Sequence, residues 1–325
     1  MEIINQPEIS GNENRVYPLS FKGQGSEYFG IAIVNLLLTV ITLGLYYPWA
    51  KARQMQYMYG ATEFNESRFE FHGTGAEMFK GFIKAVIIFA LIYGVFFACI
   101  YFQMPIVGAL TLYLGILLII PFAIHGSYRY RMSRTSWRGI RFGYRGNRNE
   151  LVGLFWKGIL LTIVTLGFYG SWFSMNLRNY ILNKIKFGTA QFSYEGKGLD
   201  YFILNLKGIF LSIITLGIYM FWWQKNLFNY FVDNLKLKQD DKEIKFKSTA
   251  SGGDIFGLFI VNYLILIFTL GIGFPWIIVR SFKFVFSKIQ LVGNINTDTL
   301  VQSEDAYTDA TGEDMSDMLD LDFVI

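Results

Sequence analysis

Long apolar stretches alternate along the chain with short polar ones. Residues 28–50, 85–124 and 158–176 carry no charged side chain. A helix needs roughly 20 apolar residues to cross a bilayer core, so these stretches predict membrane helices. The intervening segments, such as RFEFHGTG at 68–75, alternate in polarity and end in glycine. They read as short extended strands at one surface.

The pattern repeats without gaps. With Phe21 of FKGQGSEYFG as position zero, the same frame fits FHGTGAEMFK from Phe71, YRGNRNELVG from Tyr144, YEGKGLDYFI from Tyr194 and STASGGDIFG from Ser248. Six positions on, every copy has an acid: Glu27, Glu77, Glu150, Asp200 and Asp254. A carboxylate there complements the dipole and the free N–H groups at the start of a helix. In four copies the frame continues to Thr-Leu-Gly and a tryptophan, as in ITLGLYYPWAKARQ from Ile41. The glycine suits a left-handed helix end, Pro48 and Pro275 suit the first turn of a new helix, and Trp and Tyr beside the turn suit a membrane interface. The second copy instead carries two plain apolar runs split near Pro105.

These signals predict an all-α polytopic membrane protein of five related helical-hairpin repeats, with short extended segments on one face. The units span 20–68, 69–139, 140–189, 190–245 and 246–288. Residues 1–19 form a polar N-terminal tail without a signal-peptide pattern, so insertion is expected to use the first membrane helix. Residues 289–325 read as an acidic, disordered C-terminal tail. No Lys or Arg lies in the Thr-Leu-Gly tips, so hairpins that cross and return put nearly every basic flank on one side, as the positive-inside preference requires. That arrangement gives about ten membrane segments with both termini cytoplasmic. The alternative lays each returning helix flat on the interface, with successive repeats inverted.

Charge adds an asymmetry. Residues 297–325 hold nine acids and no Lys or Arg, beside a strongly basic body. With no soluble basic domain, nucleic acid is not an expected partner. The lone Cys99 excludes an intrachain disulfide or a cysteine metal cluster.

Candidate chemistry is sparse. The GxG pairs before the helices lack the rest of a phosphate loop and read as structural turns, and His72 and His125 sit in no hydrolytic or metal-binding motif. No catalytic, cofactor-binding or metal-ligating residue is indicated, and an enzyme is not expected. Thirty-two positions into the frame stand Arg53, Asn176, Asn226 and Arg280. They are candidates for a polar interior that conducts a small solute, against the plainer role of bonding neighbouring helices. Arg129, Arg131, Arg134 and Arg138 lie in a basic, aromatic run suited to anionic lipid heads, against a role in setting topology alone. The five frame acids are helix-start charges rather than a cation ring. The acidic tail is expected to be solvated, with docking on the basic body as the alternative.

The paired FxGxGxExF and TLGxYxPWxxxR motifs resemble the YjgN-type bacterial inner-membrane proteins, a family without established chemistry, over roughly Phe21–Lys288. The resemblance implies a multi-pass protein of the bacterial inner membrane and carries over no ligand or catalytic residue. The expected function is transport of a small solute through a polar interior, or alternatively a membrane-organising, anionic-lipid-binding scaffold. The bilayer is the expected partner. Oligomeric state is not legible.

Overall fold

The computed structural model describes residues 15–240, 242–294, 300–303 and 307–319. Strands and helical hairpins alternate. In chain order the elements are β1 (Arg15–Tyr17), β2 (Leu19–Phe21), α1 (Gly25–Ile41), α2 (Tyr47–Gly60), β3 (Thr62–Phe64), β4 (Ser67–Phe71), α3 (Gly75–Tyr101), α4 (Pro105–Arg134), β5 (Thr135–Trp137) and β6 (Ile140–Tyr144). There follow α5 (Arg148–Val164), α6 (Gly170–Leu182), β7 (Ile185–Phe187), β8 (Ala190–Tyr194), α7 (Gly198–Ile214), α8 (Met220–Asp233), β9 (Leu235–Gln239), β10 (Lys242–Ser248), α9 (Gly252–Phe268), α10 (Phe274–Ser287), β11 (Ile289–Gly293) and α11 (Thr311–Met318).

The all-α expectation is overturned. The extended segments pair into one antiparallel sheet of 11 strands, in the order β1-β11-β10-β9-β8-β7-β6-β5-β4-β3-β2. Its two ends, β1 and β2, are consecutive pieces of one chain segment, so the sheet is nearly closed and barrel-like. Pro18 separates them. Tyr17 pairs with Leu291 on one side, and Leu19 pairs with Phe64 on the other. Each strand has only 3–7 residues, and tight-turn pairings alternate with pairings to a strand brought in by a hairpin of helices. Local pattern could not reveal such partners, because pairing rather than propensity makes a strand this short stable.

Antiparallel alternation puts all five helical hairpins at one end of the barrel and the tight turns at the other. Those turns use left-handed pairs, Asn65-Glu66 (φ 44° and 64°) and Arg138-Gly139 (φ 49° and 77°), as two-residue hairpins require. The barrel is filled. Trp137, Phe142, Phe187, Leu237, Ile244 and Leu291 belong to a single buried cluster, and the Phe142 and Phe187 rings stack at 4.4 Å. The Trp137 indole N–H donates to the carbonyls of Phe64 and Ser67, each at 3.0 Å. Charged side chains such as Lys236, Lys238, Glu243 and Lys245 occupy alternate positions on the outer face.

The frame residues explain how neighbouring hairpins join. Trp49 packs on Phe79 of the next hairpin (4.9 Å), and its ring fills the space a Cβ on Gly75 would take. Trp172 does the same to Phe202 and Gly198, and Trp222 to Gly252. Trp276 returns to Phe29 and Gly25 of the first hairpin, which closes the ring of helices. The exception fits. The second hairpin has no such tryptophan, and the hairpin after it has Arg148 in place of glycine, laid over Phe122 of α4. These indoles are therefore joints between hairpins rather than free interfacial anchors.

Within hairpins a tyrosine ties the returning arm to the start of the outgoing one. The Tyr57 hydroxyl accepts from the Gln24 N–H (2.8 Å) and lies 3.2 Å from the Glu27 carboxylate. Tyr180 repeats this with Asn147 (2.8 Å) and Glu150 (3.1 Å), and Tyr230 with the Lys197 N–H (2.7 Å).

Gly198→Ala is expected to cost about 1–3 kcal/mol by forcing the Trp172 ring from its seat. Thermal melts in detergent of Gly198→Ala, Trp172→Ala and the double variant test the joint. The glycine substitution should become nearly neutral once the indole is gone.

Candidate functional site

The chain beyond β11 is the least expected part of the structure. The anticipated disordered tail contributes β11 to the sheet, and Leu300 is buried in the barrel cluster. Gln302 and Ser303 then cross the tips of two strand pairs. The Gln302 Oε1 accepts from the Arg141 N–H at 2.6 Å, and the Ser303 hydroxyl donates to the Gly188 carbonyl at 2.7 Å. Residues 1–14 and 320–325 lie outside the described residues.

Next, α11 wedges against α3 and α4, with residues 312–316 all buried. Its start carries sequence cues that composition alone conceals. Asp309 accepts from the Thr311 N–H (3.1 Å), and Glu313 and Asp314 occupy the first turn, where carboxylates favour a helix. Gly126 of α4 faces Gly312 with no room for a Cβ on either, so the two backbones approach closely. Met315 packs between Ala85 and Ala123, and Ala310 between Ala52 and Met78.

The polar centre of this contact is Glu313, which is fully buried. Its carboxylate accepts from Arg131 Nε at 2.7 and 2.6 Å and from the Ser127 hydroxyl at 2.6 Å. Arg129 lies over the Tyr307 ring at 4.2 Å, and Lys84 reaches Asp309 at 3.3 Å. Burial alone would raise the Asp309 carboxyl. Hydrogen bonds from Thr311 and the nearby Lys84 ammonium outweigh it and hold the group below the ordinary carboxylate range.

Arg131 and Arg134 of the arginine run are thus engaged inside the protein. Arg131 pairs with Glu313, and Arg134 pairs with Glu77, which also receives the Tyr130 hydroxyl at 3.3 Å. Arg138 stacks on Trp137 and donates to Ser67 at 2.8 Å, out on a strand turn. The other frame acids stay on their own hairpins. Glu27 and Glu150 face their clamp tyrosines, and Asp254 forms a capping box with Ser251 and an ion pair with Lys288 at 2.9 Å. Tyr230 in the fourth hairpin bonds the Lys197 backbone rather than Asp200.

The four polar-interior candidates occupy four different hairpins. Arg53, Asn176 and Arg280 are exposed and Asn226 is half-buried. Asn176 lines a groove of about 400 Å³ between α5 and α6, with Lys157 and Tyr169. Arg280 lines a groove of about 470 Å³ between α9 and α10, with Asp254 and Lys283. Arg53 and Asn226 line neither groove. His72 contacts Ser136 at 2.7 Å in the sheet, and His125 packs edge-on to Tyr144 at 5.4 Å.

Segments 16–197, 189–241 and 223–318 match the family described as bacterial protein of unknown function, DUF898. The chain belongs to that family. It is also similar to the inner membrane protein YjgN of Escherichia coli K12, at 31% identity over 163 residues covering 50% of this chain and 38% of the relative. YjgN of Salmonella typhimurium LT2 is 36% identical over 137 residues, which is 42% of this chain and 33% of the relative. The matched stretch therefore spans well under half of these relatives. No solved structure matches. The family bond agrees with the motifs that carried the resemblance, and its described members are inner membrane proteins in bacteria. Sequence reading missed Ser127, Tyr307 and Glu313, because nothing in an acidic tail shows which arginine it will reach.

Glu313→Ala removes the buried carboxylate that accepts from Arg131 and Ser127 and is expected to cost about 3–5 kcal/mol. Limited proteolysis should then release the segment after Gly293. Replacing both partners, as Arg131→Met with Glu313→Leu, should restore most of the protection.

Proposed function

We propose that the protein is an integral protein of the bacterial inner membrane with an organising role, seated in lipid by its helical hairpins and presenting the charged barrel to the cytoplasm. The observation that carries this reading is the exposed apolar surface of α3 and α4. Their most apolar windows have mean hydropathies of 2.5 and 2.4, yet only 6% and 22% of those windows is buried inside the protein. A core helix of a soluble protein buries such a surface, and the bilayer is the solvent that suits it.

Orientation follows from charge. Every Lys and Arg among the described residues lies on the sheet side of the hairpin tips, none within them, which favours a cytoplasmic barrel. Exposed Lys80, Lys157, Lys207 and Lys283 stand on helices above the sheet, where each contributes about 1 kcal/mol to attraction for anionic lipid heads. These lysines, rather than the buried Arg131 and Arg134, carry the lipid-head contact.

Solute conduction is the second reading, resting on the grooves beside Asn176 and Arg280. We favour the organising role because the barrel under the helices is packed with aromatic and aliphatic side chains. The four polar candidates also sit on separate hairpins. No catalytic role is proposed for any residue.

Two measurements test this. Alkaline carbonate washing should leave the protein in the membrane pellet, and release into the supernatant would overturn the membrane reading. In proteoliposomes, ion and small-solute fluxes should match those of empty vesicles. A flux abolished by Asn176→Ala or Arg280→Ala in folded protein would instead establish conduction.

A further inference from the structure

The five hairpins are not equally long. Helices α3 and α4 have 27 and 30 residues, or about 40 and 45 Å at 1.5 Å per residue. The outgoing arms α1, α5, α7 and α9 have 17 residues each, about 25 Å. Their returning arms α2, α6, α8 and α10 have only 13–14, about 20 Å. All five start from the same end of the same barrel.

Charge marks a common level on three of the five outgoing arms. Lys84, Lys157 and Lys207 are each the tenth residue of their helix. Beyond that level α3 has 17 uncharged residues, and α4 has 20 before His125, about 25 and 30 Å. Those lengths suit a whole hydrocarbon core of about 30 Å. Beyond the same level α5 and α7 each have only seven residues, about 10 Å, and then a turn. That reaches about the depth of one leaflet.

The returning arms agree. Lys51, Lys225 and Arg280 are the fifth, sixth and seventh residues of α2, α8 and α10. A tip at the far surface would hold these charges deep in the core, where a charge is costly. A tip at mid-depth brings them close to the head groups they started from.

The tips themselves are built to live without water. In the first, the N–H groups of Thr42, Leu43, Gly44, Leu45 and Tyr47 all meet carbonyls of the turn or arm. The Tyr46 N–H is taken by the Thr42 hydroxyl at 2.9 Å, which itself donates to the Leu38 carbonyl at 2.7 Å. Thr165, Thr215 and Thr269 serve the other three in the same way. At each apex a leucine points outward at positive φ: Leu43, Leu166, Leu216 and Leu270, at 94, 89, 94 and 91% exposure. Hydrocarbon demands such closure of the backbone, and an apical leucine suits acyl chains.

We propose that only α3 and α4 cross the bilayer, and that the other four hairpins are re-entrant, ending among acyl chains near the mid-plane. The partner of this surface is the hydrocarbon of the cytoplasmic leaflet, into which eight helices insert from one side. The proposal rests on the membrane reading above.

The test uses full-length protein carrying Cys99→Ser and one new cysteine at Leu43, Leu166, Leu216, Leu270, Gln103 or Glu66. A membrane-impermeant maleimide is applied to spheroplasts and to inverted vesicles, after confirming that each variant accumulates in membranes. Gln103→Cys, at the tip of the long hairpin, should label only from the periplasmic side. Glu66→Cys, on a strand turn, should label only in inverted vesicles. The four leucine variants should resist labelling from both sides until detergent is added. If they label from the periplasm together with Gln103→Cys, all five hairpins cross and the proposal fails while the membrane reading stands. If they label with Glu66→Cys, the tips lie outside the bilayer and the proposal also fails. If Gln103→Cys too labels only in inverted vesicles, the membrane reading itself falls.

Discussion

The ring of hairpins depends on one contact, an indole seated on the glycine at the start of the next hairpin. Four such joints, Trp49 on Gly75, Trp172 on Gly198, Trp222 on Gly252 and Trp276 on Gly25, hold the helices while the sheet holds the strands. The two closures support each other. A sheet this short-stranded has little stability alone, and the hairpins have no buried base without it. Pro18 lets one chain segment serve β11 on one side and β3 on the other, so the barrel is left with almost no free edge.

The second hairpin departs from its neighbours in three respects. It is longer, lacks the tryptophan joint, and receives α11 against its base. The lost indole is replaced by Arg148 over Phe122, and the wedge brings Glu313 to Arg131. A buried ion pair of this kind is a costly way to gain stability, but it specifies position well, since either charge without the other is heavily penalised. The acidic segment is thereby held at one place on a basic body. In the proposed function, exposed Lys80, Lys157, Lys207 and Lys283 face the lipid heads.

In the proposed arrangement, depth in the membrane follows from covalent length: hairpins with outgoing arms of 17 residues on a shared base reach less far than one with arms of 27 and 30. The proposed arrangement loads one leaflet with ten helices and the other with two. That asymmetry suits an organiser of the bilayer better than a conduit through it.

Much of this was legible in the residues. The frame from Phe21 to Lys288, the helix-starting acids, the Thr-Leu-Gly turns and the exceptional second copy all appear as local patterns, because caps, turns and apolar runs are decided within a few residues. The strands were visible as short alternating segments, but their union into one barrel was not, since the pairings that link one strand pair to the next are brought in by folding of the helices between. The same limit hid the joints: Gly75 and Trp49 are written in the chain, yet only packing shows that one ring fills the space beside the other residue's missing side chain. It also hid the pairing of Arg131 with Glu313, which stand far apart in sequence. What the sequence by itself determined was the repeating hairpin and its apolar surface. What the tertiary structure alone decided was the barrel, the common base it gives the hairpins and the docked C-terminal helix, because these depend on distances between segments that no local pattern encodes.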